Sequence, residues 1–583
     1  MRLPEQVPFS KLSLSHGRPA RTGYYLQPER AFDYAITARS LWVETGFARS
    51  QRHKKMENKP YIKQYIVTAA VSALHLALTF RTDKRIFEAA PSDNPVDYYI
   101  CKAIAFMALF AFYNGLYLIL FRHGKEGGSL VYKNASGSVI SDGRKIGARL
   151  IEGLKCAAPY LIVIIPVCAF KLRGGYLSND ETLILQNALT LTHYTWFYYI
   201  TTYYYIVALM LIPHIYGPIF LKLIIELMVV GYVVYRVGRY YGKRYGYGAY
   251  LLFLLYPVIA YTTSAHRLPI YFLVYLYLVV LMLFDMLEEI PANAGKITWI
   301  VFVSAILTQW RTEGIYFAVI SVILILIAYP GLRAGKKSSV IALVAGALIC
   351  QYLVSVPQNG FAADELSAKA DDRMKPFYAY TVTNMFRNGL DREKNSQDLE
   401  IIDKYLSVET IDAINDYYGD INYEDVLILY ADGFVGVREE ASVEDFFNYA
   451  AACKRLFINN VDILLKTRWG AFCYAALPYH ITFTGTGLRE LASFGISVVK
   501  TLSYNLFIPV TIIILLCLFA LIKRRWFTFF LSGGLLMHFA IVFVLAPASY
   551  FKYYFPVYII AYFYVMLGIM QTIYNRCRKA EIS

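Results

Sequence analysis

Asp180 and Glu181 stand side by side just past an apolar run at 157–171, in the stretch Arg173-Gly-Gly-Tyr-Leu-Ser-Asn-Asp180-Glu181-Thr-Leu-Ile-Leu-Gln-Asn. A carboxylate held against a low-dielectric wall can have its pKa tuned and act as a general base. Ser178-x-x-Glu181 also fits a capping box, and acids favour helix N-termini. The two readings are compatible, because a capped helix is a rigid mount for a base.

A second feature is charge inside the apolar runs. Lys222 and Glu226 lie four residues apart, on one face of a helix expected over 218–237. Charges within a membrane are costly and usually paired, which makes this pair a functional candidate. A structural ion pair, or a lysine snorkelling to the outer interface, explains it equally well. Short cationic loops come third: His266-Arg267, Arg311-Thr-Glu313 and Lys552-Tyr553-Tyr554. Guanidinium and ammonium groups at a membrane interface suit a phosphate anchored in the bilayer. Any one loop alone is ordinary snorkelling; their convergence on the acidic loop is an expectation. His193 and His480 are placed outside, where they could line a site, and His538 lies within a helix and is expected to be packed. No HExxH, GxSxG, Walker or zinc pattern is present. Eight cysteines are scattered without a CxxC spacing. Cys453 and Cys473 share one segment, and the spacing leaves their pairing open.

These residues hang on an extremely apolar chain. Of 583 residues, 57% are hydrophobic and only 17% are charged, with a mean hydropathy of +0.42. Soluble domains carry about a quarter charged residues. Apolar runs fall near 61–80, 98–121, 157–171, 218–237, 249–263, 269–288, 297–310, 315–330, 338–356, 504–522, 527–546 and 553–572. Most are near the length a helix needs to cross the hydrocarbon. The 52 Tyr and 37 Phe often sit near run ends, where amphipathic rings favour the headgroup region. The net charge of +15 is unevenly spread. Residues 358–500 hold 22 Asp/Glu against 14 Lys/Arg, and the rest of the chain holds 43 basic against 20 acidic. The basic excess sits in short clusters beside apolar runs, the pattern of cytoplasmic loops rather than of a nucleic-acid surface. No nucleic-acid partner is expected.

The Lys/Arg bias sets the orientation. With the Arg49–Lys59 flank inside, loop 122–155, the clusters at Arg236–Arg244, Arg333–Lys337 and Lys523–Arg525, and the tail after Arg576 all fall on the cytoplasmic side. Segment 197–212 is apolar enough to span, but a crossing there would flip every later cluster. It is expected as an interfacial or re-entrant helix, in keeping with Tyr198, Tyr199, Tyr203, Tyr204 and Tyr205. The fold expected is an all-α polytopic membrane protein of about 12 transmembrane helices, with a mainly helical extracytoplasmic domain inserted before the last three. Its parts are a cytoplasmic segment 1–60, a helix pair 61–121, a cytoplasmic loop 122–155, a core 156–356 with an outer loop 172–217, the outer domain 357–503, the last helices 504–572 and a cytoplasmic tail 573–583. Ser407-x-x-Thr410 and Ser442-x-x-Asp445 mark helix starts in the outer domain. No cleavable signal peptide is seen. Met56 reads as an alternative start; N-terminal sequencing of native protein that found earlier residues would refute that.

The arrangement resembles the GT-C superfamily of membrane glycosyltransferases, which take a sugar from a polyprenyl-phosphate carrier. That family places an acidic residue, often an Asp-Glu pair, in the first outer loop of its core, followed by amphipathic helices. Asp180-Glu181 and 197–212 match this pattern, and the resemblance covers roughly 155–572. The family also uses basic residues of later outer loops to hold the lipid phosphate. Arg311 matches such a position, Lys552 is similar, and Arg267 and His266 are weaker matches. The outer domain departs from the family pattern, because it lies before the last helices rather than after them.

The resemblance implies direct sugar transfer at the outer face of the plasma membrane to a glycan, lipid or protein acceptor. Asp180 would deprotonate the acceptor, with Glu181 orienting it or serving as base. Arg311, Lys222, Lys552 and Arg267 would steady the carrier phosphate. Glu313, His193, Glu226 and His266 complete the candidates. Some family members use a divalent cation; no complete metal-ligand set is visible, and no other cofactor is implied. The competing readings are a lipid or oligosaccharide flippase or transporter, which intramembrane Lys222 and Glu226 would suit, and a polysaccharide polymerase working through outer-loop arginines. No repeated halves of the transporter kind are found.

Overall fold

The computed structural model describes residues 59–121, 130–144, 146–171, 179–193, 197–334, 337–359, 370–418, 436–482, 485 and 487–582. The chain divides into two units, Met1–Val67 and Thr68–Ser583. The first contributes only the opening turns of one helix to the described residues.

In chain order the helices are α1 (Lys59–Ile86), α2 (Pro95–Leu120), α3 (Ile146–Lys171), α4 (Asn179–Leu189), α5 (Tyr199–Leu211), α6 (Gly217–Tyr241), α7 (Leu268–Leu287), α8 (Ala294–Trp310), α9 (Phe317–Ala328) and α10 (Lys337–Asn359). Then come α11 (Ala370–Arg387), α12 (Ser396–Asp403), α13 (Val408–Tyr418), α14 (Val443–Asn459), α15 (Val461–Ala476), α16 (Leu488–Ser503), α17 (Phe507–Ile522), α18 (Trp526–Leu545) and α19 (Phe555–Ile582).

Nine helical stretches among the described residues are long and apolar enough to cross a bilayer: α1, α2, α3, α6, α7, α10, α16 with α17, α18 and α19. The chain is therefore an all-α, multi-pass membrane protein. Three expected runs give shorter helices. The run 249–263 breaks into Tyr250–Phe253 and Tyr256–Thr262. Pro257 sits in the first turn of the second piece, where its missing N–H costs nothing, and the chain turns extended just before it, at Leu255. The runs 297–310 and 315–330 become α8 and α9, joined by a 3-10 turn over Thr312–Tyr316.

A layer of buried charge marks one end of the bundle. Arg236 on α6 donates through Nη2 to Asp285 and Glu288, at 2.9 Å each. Arg239 donates to Glu288 at 2.9 Å, and Lys296 and the Tyr329 hydroxyl donate to Asp285 at 2.6 and 2.8 Å. Arg236 is therefore buried among carboxylates, not a solvated loop charge as its place in a basic cluster suggested. Helices α7, α8 and α9 all run between this Asp285 end and an opposite end that carries Asp180. Beside them α6 packs closely on α3. A Cβ on Gly231 of α6 would lie 2.5 Å from the Gly153 carbonyl of α3, so only glycine permits that approach.

Two expectations are corrected. Loop 122–155 contains an antiparallel hairpin, β1 (Leu130–Lys133) with β2 (Val139–Asp142), pairing Leu130 with Asp142 and Lys133 with Val139. The Lys133 amide donates to Glu288 O and the Ala135 amide to Tyr240 O, which seats the hairpin on the Asp285 end. The interfacial or re-entrant helix expected at 197–212 is the 13-residue α5, and since most of it is buried in protein it does not lie on the interface. Its tyrosines turn inward because hydroxyl partners await them: Tyr204 donates to Pro218 O at 2.6 Å, and Tyr203 donates to Asp97.

Helices α11 to α15 form their own apolar core around Tyr380, Met385, Ile402, Tyr449 and Leu456. The cap signals read from sequence hold. Ser407 Oγ accepts from the Thr410 amide at 3.1 Å, and Ser442 and Asp445 form a full capping box. Cys453 and Cys473 are both free thiols.

Candidate active site

Asp180 and Glu181 occupy the first turn of α4. Neighbouring helical residues point about 100° apart, so one acid faces protein and the other faces out. Glu181 is buried, whereas the Asp180 side chain keeps 41% of its surface exposed. The Ser178 half of the expected capping box lies outside the described residues.

Glu181 is held by the residues just before α7. Its Oε1 accepts from Arg267 Nη1 at 3.0 Å and from the Arg267 amide at 3.2 Å. His266 Nδ1 lies 3.2 Å from Oε2. The Arg267 guanidinium lies over the Phe197 ring, 4.4 Å from its centre. Asp180 stands at the edge of this cluster, its Oδ2 3.8 Å from Arg267 Nη1 and 4.0 Å from Lys552 Nζ. Lys552 comes from the 3-10 turn Phe551–Tyr554 ahead of α19 and lies over the Tyr550 ring at 4.6 Å.

The next residue, Tyr553, carries Arg311, whose guanidinium lies 5.2 Å from the ring centre. Arg311 Nε also donates to Glu313. Burial opposes ionisation of Glu313, but Arg311 and His538 outweigh it and hold the carboxyl below its ordinary range. His538 is buried, with Nε2 2.9 Å from the Tyr553 carbonyl. A carbonyl can only accept, so that nitrogen carries the proton. Gly314 lets the turn close: a Cβ there would sit 2.7 Å from Leu307 O and 3.2 Å from the Tyr271 hydroxyl.

Four expected residues thus gather with Asp180: Glu181, His266, Arg267 and Lys552. Arg311 and Glu313 adjoin them through Tyr553. Lys222 has a different task. Its ammonium donates to the carbonyls of Ser264, His266 and Tyr261, the last two at 3.3 and 3.5 Å. The C-terminal carbonyls of a helix lack partners within the helix, and here Lys222 supplies one for Tyr256–Thr262 and the loop that carries His266 and Arg267. Glu226 accepts from Tyr160 at 3.1 Å within the bundle. His193 belongs to a separate cluster, with Nε2 3.2 Å from Asp97 and its ring stacked on Tyr199 at 3.6 Å.

Sequence reading missed Phe197, Tyr553 and Asp97 as partners of these charges. Tyr553 had a signal, being next to Lys552; Phe197 had none. As for a divalent cation, the described residues contain no group of three or more His, Cys, Asp or Glu that could hold a metal. Glu181 already holds the Arg267 guanidinium, which would repel a metal ion, so the acidic pair does not fit that role.

Comparison with protein-family models, with curated proteins and with solved structures found no match.

Proposed function

We propose that the chain is a membrane glycosyltransferase that moves a sugar from a polyprenyl-phosphate carrier to a glycan, lipid or protein acceptor at the outer face of the plasma membrane. One observation carries the reading: an exposed carboxylate, Asp180, at the rim of a cluster that also presents Arg267 and Lys552. Asp180 accepts the proton of an acceptor hydroxyl, whose oxygen bonds to the anomeric carbon as the bond from that carbon to the phosphate oxygen breaks. The departing phosphate gains negative charge, which Lys552 and Arg311 stabilise. Fixed cations need no reorganisation at that moment.

Glu181 is a positioning residue in this scheme, since its oxygens are taken up by Arg267 and His266. Lys222 positions the 264–267 loop rather than touching the phosphate. In the reading that completes it, the broken segment 249–263 and the helices α8 and α9 also cross, giving twelve passages. The Asp180 end and helices α11 to α15 then face outward, and both termini face the cytoplasm, as the basic clusters require. A transporter would need Lys222 to exchange partners during its cycle, and its seat on three carbonyls speaks against that.

The test is transfer of radiolabelled sugar from polyprenyl-phosphate donors in membranes carrying wild type, Asp180→Asn or Glu181→Gln. Loss of transfer in Asp180→Asn, with protein level unchanged, is the expected result.

A further inference from the structure

Helix α16 is built inside out for a water-soluble surface. Its 16 residues include none that is fully buried. The face turned away from the protein is wholly apolar or small: Leu488, Leu491, Ala492, Ile496, Val499 and Leu502 are all exposed. Leu488 is 90% exposed, Leu491 50% and Leu502 65%. On the opposite face Glu490, Ser497 and Thr501 are half-buried against the chain. Ser497 Oγ there accepts from the Thr482 amide at 3.2 Å. Water would drive such a helix to turn over, so another medium must cover the bare face.

We propose that the bare face of α16 is seated in the bilayer, lying at the border between headgroups and acyl chains on the Asp180 side. Three observations favour lipid over a protein partner. The face continues into α17, whose Ile508, Leu515 and Leu518 are also exposed along a membrane-crossing stretch. The two cations of α16, Arg489 and Lys500, fall on the same border of the apolar face by helical spacing, where cationic side chains reach phosphate. The helix is also set off from α17 by a break at Tyr504–Leu506 and packs beside Tyr256–Thr262, with Lys500 lying 5.9 Å from the Tyr256 ring and 5.2 Å from the Tyr479 ring.

This seating fixes the depth of the candidate site. Tyr504, at the end of α16, packs on Phe551 at 4.8 Å, next to Lys552. A helix lying in the headgroup layer therefore places Lys552 and Asp180 at phosphate level, within reach of a substrate carried in the bilayer. The inference rests on the membrane location alone and stands or falls independently of the transferase reading.

Its test is photocrosslinking in the full chain. p-Benzoylphenylalanine is placed singly at Leu491, Leu502 or Ser493 (an exposed polar position on the other side of Arg489). Each variant that elutes as monodisperse protein is reconstituted in phosphatidylcholine vesicles containing radiolabelled phosphatidylcholine and irradiated. Label bound covalently at Leu491 and Leu502, and lost at Ser493, is expected. Dimer-sized crosslinks in place of label, no label at either leucine, or equal label at Ser493 would each overturn the proposal. All three positions are exposed, so the probe displaces no packed side chain.

Discussion

Arg267 grips Glu181 twice, through Nη1 at 3.0 Å and through its own backbone amide at 3.2 Å. Two adjacent acids are thereby divided between tasks. Glu181 ties α4 to the start of α7, and Asp180 is left exposed at the rim, where the proposed acceptor would approach.

That division predicts opposite signatures for the two substitutions. Removing one partner of a buried ion pair costs about 3–5 kcal/mol, because the other charge stays buried. Glu181→Gln keeps one acceptor oxygen and should lie near the low end of that range. Asp180→Asn, at an exposed position, should change stability by no more than about 0.5 kcal/mol. Thermal unfolding in detergent distinguishes them: a lower midpoint for Glu181→Gln, and none or nearly none for Asp180→Asn.

The turn that presents Arg311 depends on the missing side chain of Gly314. A methyl group there would press on the Leu307 carbonyl at 2.7 Å. Gly314→Ala should therefore shift Arg311 off the Tyr553 ring and weaken donor use by roughly 10-fold or more, since displacements on the order of 1 Å carry large rate penalties. Transfer rates measured against donor concentration check this.

The helical domain is bound to the site through Arg468. This buried side chain donates from Nη1 to Ala546 O at 2.8 Å and from Nη2 to Thr381. Tyr380 shares a hydrogen bond with Ser549, three residues before Lys552. Arg468→Ala leaves buried acceptors unsatisfied, at about 1–3 kcal/mol each. Limited proteolysis should show the 546–550 loop cut faster than in wild type, while Arg468→Lys recovers part of the protection.

At the other end, Arg236→Leu would remove the cation that Asp285 and Glu288 share, leaving Asp285 with Lys296 and Tyr329 and Glu288 with Arg239. Loss of hydrogen bonds to charged groups, with other partners retained, predicts a cost of about 1–3 kcal/mol, seen as a lower unfolding midpoint. Any remaining folded protein should keep its KM for donor, since no Asp180-side residue is touched.

Composition and charge placement made the multi-pass character legible, because about twenty apolar residues have few other uses. Hydropathy could not show where a run breaks. The run 249–263 scores like its neighbours, yet Pro257 divides it and Lys222 satisfies its end. Likewise Arg236 and Arg239 read as ordinary loop cations, since their carboxylate partners lie on α7, far along the chain. The spacing of those partners, Asp285 and Glu288, at the end of a strongly apolar helix was a usable signal. The site itself was legible as a list of charged loops. Which acid is fixed depended on Arg267 and His266, far along the chain, and that Lys222 caps a helix depended on backbone carbonyls, which leave no mark in a sequence.

The most direct test is radiolabelled sugar transfer from a panel of polyprenyl-phosphate donors by wild type and Asp180→Asn in membranes at matched protein level. Loss of the general base predicts a fall in rate of roughly 10²–10⁴-fold, with donor binding retained. Transfer by Asp180→Asn at the wild-type rate, or no transfer from any donor by wild type, would contradict the account.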